Sequence, residues 1–347
     1  MFKPDFTITN RILNNISSIE AAEETIRHAP LLPLWEKEFK DDAVIRSVHH
    51  GTHIEGNKLD KSEAKDVLLG RDVVGRPRDI QEIINYRKVI DLIDEEARRK
   101  IDKITEPLIK KLHRITTDKI LLPDQIGEYR TNQVVVRNST TGVVTFRPPA
   151  PIQIPFMMRE FIYWINRENK DELHPILKGA IAHHQLVYIH PFIDGNGRVA
   201  RALATLILFI EGYDIRRFFS LEEYYDKDAK TYYENLQNAT NGNMTSWLEY
   251  FTYGAAREFD KVREKVLRLS RDIKLKEKFG GQQIFLGDRQ VKIMEYIQEV
   301  GYLQNQNFST LFPEFSEDTI LRDLHDLAKK GIIKKVGSTK AARYVMV

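Results

Sequence analysis

The stretch His190-Pro191-Phe192-Ile193-Asp194-Gly195-Asn196-Gly197-Arg198-Val199-Ala200-Arg201 decides how this chain is read. Within it stand a histidine, a carboxylate, two glycines and two arginines. An imidazole can take a proton from an attacking hydroxyl, and a carboxylate can hold a divalent ion. Glycines let the backbone adopt positive φ and bring its N–H groups close to an anion. A helix beginning near Arg198 would add its dipole and unpaired donors, which favour phosphate. Arg201 follows one helical turn after Arg198, on the same face. Such a set suits a nucleoside triphosphate with magnesium.

The flanking segments place the run between two helices. Leu177 to Ile189 is apolar on most faces and Val199 to Ile210 nearly all round, as expected at the centre of a helical domain. Gly195-x-Gly197-x-x-Ala200 imitates a dinucleotide fingerprint, but that pattern needs a preceding strand and here the preceding segment reads as helix. The P-loop string GxxxxGK[ST] is absent from the chain.

As written, HPFIDGNGRVAR matches the Fic signature HPFx[D/E]GNGRxxR at every fixed position, so the chain resembles the Fic family of protein adenylyltransferases. The resemblance implies a mostly α fold, a Fic-type helical core with a β-hairpin flap. It implies ATP as substrate, Mg2+ as cofactor, and a target protein presenting a Tyr, Ser or Thr hydroxyl. His190 would be the general base and Asp194 the magnesium ligand. Asn196 and the backbone of Gly195 and Gly197 would bind the α- and β-phosphates, Arg198 the β-phosphate and Arg201 the γ-phosphate, with Phe192 plugging the loop into the core. Relatives acting as kinases carry lysine at the position of Gly197; glycine there favours AMP transfer, with phosphocholine transfer the rarer departure that the motif leaves open.

Upstream, Gly51-Thr52-His53-Ile54-Glu55-Gly56-Asn57 resembles the family's inhibitory motif [S/T]xxxE[G/N], departing from it at Gly51. By that resemblance Glu55 would pair with Arg201 and deny the γ-phosphate its arginine. Gln133 to Phe146 is a hairpin pattern, two β-branched runs around a glycine-containing loop. It matches the family's flap, in which Val134, Val135 and Val136 would pair with an extended target segment. Tyr232 and Asn235 lie on a helix that resembles the one on the adenine side.

The 347 residues contain no cysteine, which excludes disulfides, thiolate metal sites and a cysteine nucleophile. A formal net charge of +3 says little about partners. The N-terminal sequence lacks a signal-peptide pattern and the most apolar stretch, Ala202 to Ile210, is too short to span a bilayer. A cytoplasmic protein with no membrane partner is expected. His49, His50 and His53, and separately His183 and His184, could be read as metal clusters, but the sequence shows no matching helix of ligands. They are expected to be core or surface histidines.

The expected organisation is a helical N-terminal region with the inhibitory helix (1–115), the Fic core (116–256), an exposed linker helix (257–283) and a last domain (284–347). That domain reads as helix, short helix, a third helix capped by Ser316, and two strands, and it resembles a winged helix-turn-helix. From Leu327 onward it carries Lys329, Lys330, Lys334, Lys335, Lys340 and Arg343 with no acidic residue, which suits DNA phosphates. Glu317, Asp318, Asp323 and Asp326 on its third helix oppose that, leaving DNA binding and protein docking or homodimerisation both open. A second functional reading is a DNA-binding transcriptional regulator that uses the pocket only to sense nucleotide.

Overall fold

A computed structural model describes residues 2–29, 31, 33–137, 142, 144–167, 173–213, 217–278, 286–313, 315–337 and 342–347. Backbone contacts divide the chain into two compact units, Met1–Leu267 and Arg268–Val347.

The first unit is helical. α1 (Asn10–His28) starts at Thr9, whose hydroxyl accepts the Ile12 N–H, and buries Ile12, Ile19, Ala22 and Ile26. α2 (Pro33–His53) ends in a turn where Gly56 takes φ +94°. α3 (Lys61–Leu68) opens with a reciprocal cap between Asp60 and Glu63. α4 (Pro77–Arg98) begins at a proline and α5 (Glu106–Thr117) at Thr105, which accepts the Leu108 N–H. The flap follows as a short antiparallel pair, β1 (Val136–Arg137) with β2 (Val144–Phe146). The expected first strand is shorter than its β-branched run, because Val134 and Val135 precede the ladder; residues 138–141 and Val143 lie outside the described residues.

α6 (Ile154–Ile165), α7 (Pro175–Ile189) and α8 (Asn196–Ile210) form the centre. α7 and α8 are the most closely packed pair. At their crossing a Cβ on Gly179 would stand 3.3 Å from Leu208, so glycine there sets the helix separation. Phe192, Val199, Leu203 and Leu206 are fully buried in the core that α4, α5 and α6 complete. α9 (Leu221–Lys227) is capped by Ser220 and α10 (Ala229–Ala239) by Asp228.

α11 (Thr245–Lys278) corrects the reading of an exposed linker helix. It runs unbroken through residue 257, and beyond that point it buries Glu258, Phe259, Val262 and Val266. The density of charge misled because every third or fourth position remains apolar, and that stripe is enough to dock one face.

The second unit holds α12 (Asp288–Val300), α13 (Phe308–Leu311), α14 (Glu317–Lys329) and an antiparallel wing, β3 (Ile333–Val336) with β4 (Arg343–Met346). Ile293, Ile297, Leu303, Phe308, Ile320, Leu324, Leu327 and Ile333 make its core. Ser316 stands at the N-cap as expected, but its hydroxyl meets that of Thr319 and makes no side-chain cap. The acidic residues of α14 are partly used internally. Asp323 pairs with Arg289, and Asp326 with Gln290 and Lys330. Among the described residues no helix is long and apolar enough to cross a membrane.

Candidate active site

The chain from α7 to α8 turns through two left-handed residues. His190 caps α7 at φ 51° and its N–H reaches the Leu186 carbonyl at 2.9 Å. Gly195 caps α8 at φ 79°. A non-glycine residue in the left-handed region carries strain that its surroundings must hold. Here Arg130 does so: its Nε donates to the His190 carbonyl at 2.8 Å, its backbone N–H to the Pro191 carbonyl, and its other nitrogens to Asn132 and Pro149. One arginine therefore fixes the loop to the foot of the flap.

Phe192 is the plug expected of it. It is fully buried and stacks on His113 with ring centroids 3.9 Å apart. His113 in turn accepts the Gly127 N–H at Nδ1 and donates from Nε2 to the Asp194 carbonyl at 3.0 Å. The Asn196 side chain is committed to the loop. Its Nδ2 donates to the Phe192 carbonyl and its Oδ1 accepts the Phe192 N–H, both at 2.9 Å. Asn196 thus shapes the loop with its side chain, and what it offers an anion is its backbone N–H.

His190 donates from Nδ1 to the Val187 carbonyl at 3.2 Å, which leaves Nε2 as the lone-pair nitrogen. Burial, helped by the Arg130 charge, holds the imidazole below its usual range against the Val187 bond, Glu55 and Asp194. A neutral imidazole with a free nitrogen is what a proton acceptor requires.

Gly197 has a different role from the one its motif suggests. It lies in the first turn of α8 without positive φ, and its constraint is closeness: a Cβ there would fall 2.2 Å from Oε1 of Glu55. The Glu55 carboxylate therefore lies against the N-terminal turn of α8, where helix dipole and free N–H groups favour an anion. It also accepts from Nη2 of Arg201 at 2.8 Å. Arg201 is 2 % exposed, and the same Nη2 reaches the Gly51 carbonyl at 2.9 Å. Burial opposes its charge, yet Glu55 and the surrounding tyrosines hold its pKa well above the usual value. The Nε atoms of Arg198 and Arg201 are buried without a hydrogen-bond partner among the described residues.

The departure at Gly51 has a packing cause. A Cβ at this position would sit 2.5 Å from the Tyr86 ring, so serine or threonine does not fit. Tyr86, on α4, donates to Glu222 at 3.1 Å. Thr52 is fully buried and turns its hydroxyl back on the Val48 and His49 carbonyls.

α4 supplies two residues that sequence reading missed. Glu82 pairs with Arg198 at 2.9 Å, both nearly fully buried, and Arg78 reaches Oδ2 of Asp194 at 2.8 Å. Asp194 is held below the usual carboxylate range, because Arg198, the Gly195 N–H and Arg78 outweigh its burial. Arg78 and Glu82 at i and i+4 look in sequence like a solvated helical pair. Nothing local distinguishes them from Arg87 and Asp91, about two and a half turns further on, which are such a pair.

Tyr232 corrects the adenine-side expectation. It is 1 % exposed, stacked on Tyr225, and hydrogen-bonded to His183 at 3.1 Å and to Arg201 at 3.5 Å. It braces Arg201 from behind and presents no open ring. Asn235 spends its amide N–H on the Thr231 carbonyl within α10. Tyr233 is the exposed tyrosine of the pair, and its hydroxyl donates to the Ile54 carbonyl at 3.1 Å beside Glu55. The flap reaches α7 where Phe146 packs against Tyr188.

A left-handed histidine, the N-terminal turn of α8 and two buried arginines thus stand together on one loop of the helical unit. Residues 103–208 match the Fic/DOC family and residues 289–338 the DeoR-like helix-turn-helix domain. The chain therefore carries a Fic domain, followed by a helix-turn-helix domain with a strand pair. The protein adenylyltransferase Fic of Drosophila virilis is 33% identical over 200 residues, 57% of this chain and 37% of that protein. Its counterpart in Drosophila yakuba is 36% identical over 176 residues, 50% of this chain and 34% of that protein. The chain thus spans little more than a third of the curated relatives it matches. A Fic family protein from Desulfovibrio desulfuricans G20 shares the fold, with a TM-score of 0.65 and 22% identity over 100% of this chain and 98% of its own. Fic-1 (aa134 - 508) from C. elegans shares it at 0.61 and 24% identity, over 76% and 73%.

Proposed function

We propose that this chain transfers AMP from ATP to a protein hydroxyl and that Glu55 holds the site off by default. The observation that carries the reading is the position of the Glu55 carboxylate, on Arg201 and against Gly197, in the place a phosphate would take at the start of α8. His190 Nε2 takes the proton of the target hydroxyl, whose oxygen attacks the α-phosphorus of ATP. The bond to the bridging oxygen breaks and pyrophosphate leaves with its electron pair. The N–H groups around Gly195 to Gly197 and the guanidinium of Arg198 receive the charge that develops on the phosphates. Glu82 keeps Arg198 in place for this, and Arg130 keeps His190 at the mouth of the loop. The flap around Val134 to Val136 lines up the target segment. A pocket used only to sense nucleotide needs no neutral base at its mouth, which disfavours the regulator reading. Cell lysate incubated with α-labelled ATP tests the proposal: a discrete labelled band that disappears with His190→Ala supports it, and its absence with an active-site-intact, Glu55-free variant refutes it.

The donor set at Asp194 fits magnesium. An ionised, one-third exposed carboxylate beside a triphosphate site is the usual protein share of such an ion, which takes its other ligands from phosphate and water. Mg2+, when bound, neutralises charge on the phosphates. Arg78 now holds Oδ2 of Asp194, so the ion and this guanidinium compete for one carboxylate. Arg78→Ala accordingly lowers the half-saturating Mg2+ concentration for AMP transfer severalfold. An unchanged or raised requirement contradicts the competition.

The second unit is proposed to contact DNA. With Asp323 and Asp326 taken up internally, Arg322, His325 and Lys329 stand exposed along α14 at helical spacing, with Lys334 and Lys335 exposed on β3. Lys340 lies outside the described residues. Full-length chain should shift duplex DNA in a gel with an affinity that falls as salt rises, and Arg322→Ala with Lys329→Ala should remove the shift. No shift at low salt counts against DNA and leaves the surface to a protein partner.

A further inference from the structure

The histidines at the end of α2 do not stand alone. α9 packs against α2 and brings Asp226 to them, the second-helix ligand that the sequence does not reveal. His50 Nδ1 lies 2.7 Å from Asp226 Oδ2, and His53 Nδ1 lies 2.8 Å from Oδ1 of the same carboxylate. One ligating atom from each of His49, His50 and Asp226 falls within 4.8 Å of the others. His49 is 9% exposed, with its ring centroid 4.6 Å from that of His50 and 5.4 Å from that of His53. Its Nδ1 is buried and has no hydrogen-bond partner among the described residues. Hydrogen bonding to Asp226 accounts for His50 and His53, but nothing among the described residues accounts for a third imidazole buried against them with an unused nitrogen.

We propose that His49, His50 and Asp226, with His53 at the rim, form a binding site for a divalent transition metal of the Zn2+ class, and that the ion pins the inhibitory helix. Two or three imidazoles with one carboxylate are a borderline donor set, suited to Zn2+, Co2+ or Ni2+ and poorly suited to Mg2+ or Ca2+, which demand oxygen. On binding, the imidazole protons now shared with Asp226 pass to solvent, and bonds of about 2.0–2.2 Å to the ion replace those hydrogen bonds. The site joins the last turns of α2 to α9, and Glu55 follows His53 by two residues. In this proposal Glu55 leaves Arg201 through a movement of this end of α2. An ion bridging it to Asp226 opposes that movement, so metal occupancy works against ATP occupancy.

The regulatory half of the proposal rests on the AMP-transfer reading, whereas the metal site does not, and two measurements separate them. Calorimetric titration of the tag-free full chain with Zn2+ in excess Mg2+ is expected to show one ion per chain. The affinity is expected to fall at least about tenfold in His50→Ala and in Asp226→Asn, as loss of ligands or their supports does elsewhere. His53→Ala, at an exposed side chain, serves as the variant least able to disturb folding and should weaken binding as well. Absence of saturable binding, or binding by all three variants equal to that of wild type, overturns the site. In the second measurement Zn2+ slows AMP transfer by wild type and leaves Glu55→Gly unaffected. Inhibition of both alike, or of neither while Zn2+ binds, overturns the pinning.

Discussion

Glu55→Gly is expected to raise AMP transfer by about tenfold or more, an advantage worth about 1.4 kcal/mol per decade. The carboxylate makes three demands on the site at once. It lies against the first turn of α8 at Gly197, it occupies Nη2 of Arg201, and its charge repels a triphosphate. Removing it clears the first turn, returns a buried guanidinium to the phosphates and relieves the repulsion together. The same change has a cost that serves as an internal check. Arg201 is nearly fully buried and would lose its carboxylate partner, keeping the Gly51 carbonyl, the long contact to Tyr232 and the neighbouring Tyr86 hydroxyl. A buried charge deprived of its partner destabilises a protein by about 1–3 kcal/mol when the partner was partly exposed. The variant should therefore melt earlier than wild type without nucleotide, and recover more of its stability when ATP is added. A variant that melts like wild type and gains nothing from ATP would mean that the Glu55–Arg201 contact carries no weight.

His190→Ala is expected to lower transfer by about 10² to 10⁴-fold, the range a positioned general base supplies. Binding of ATP should change little, since the phosphate ligands lie downstream of His190. The pH profile of the wild type gives the same residue a second test. His190 is held below the usual histidine range by burial and then by the Arg130 charge, with the Val187 bond, Glu55 and Asp194 working the other way. The base is active when neutral, so a depressed pKa keeps it available in mildly acid solution. Activity is then retained as pH falls through 6.5 and is lost only below it. An acidic limb centred above that value would place the proton acceptor elsewhere.

How far the sequence revealed these parts depended on whether a residue's use was local. His190 to Arg201 forms one continuous loop and helix start, so its spacing alone placed the histidine, the aspartate and both arginines together. Gly195 was legible for the same reason, since a sharp turn before a helix calls for positive φ. Gly197 was read for the wrong conformational reason, because its constraint comes from Glu55, distant in sequence and brought in by tertiary packing. Glu55 itself was found through its motif and its place at a helix end. Glu82, Arg78 and Arg130 were missed, being ordinary charged residues whose partners lie far along the chain. Tyr232 was misassigned because a tyrosine on a helix looks the same whether it faces a pocket or braces an arginine from behind. Asp226 is the sharpest case: three histidines on α2 looked like an incomplete set until α9 supplied the carboxylate.

The central claim is that this loop cuts ATP at its α-phosphorus once Glu55 is out of the way. The direct measurement is to give the Glu55→Gly chain ATP labelled on the α-phosphate in one reaction and on the γ-phosphate in another, with a cell lysate as the source of targets. Protein-bound label from the α-labelled reaction alone, abolished by adding His190→Ala, is the predicted result. Label carried from the γ-phosphate, or none from either, would contradict the account.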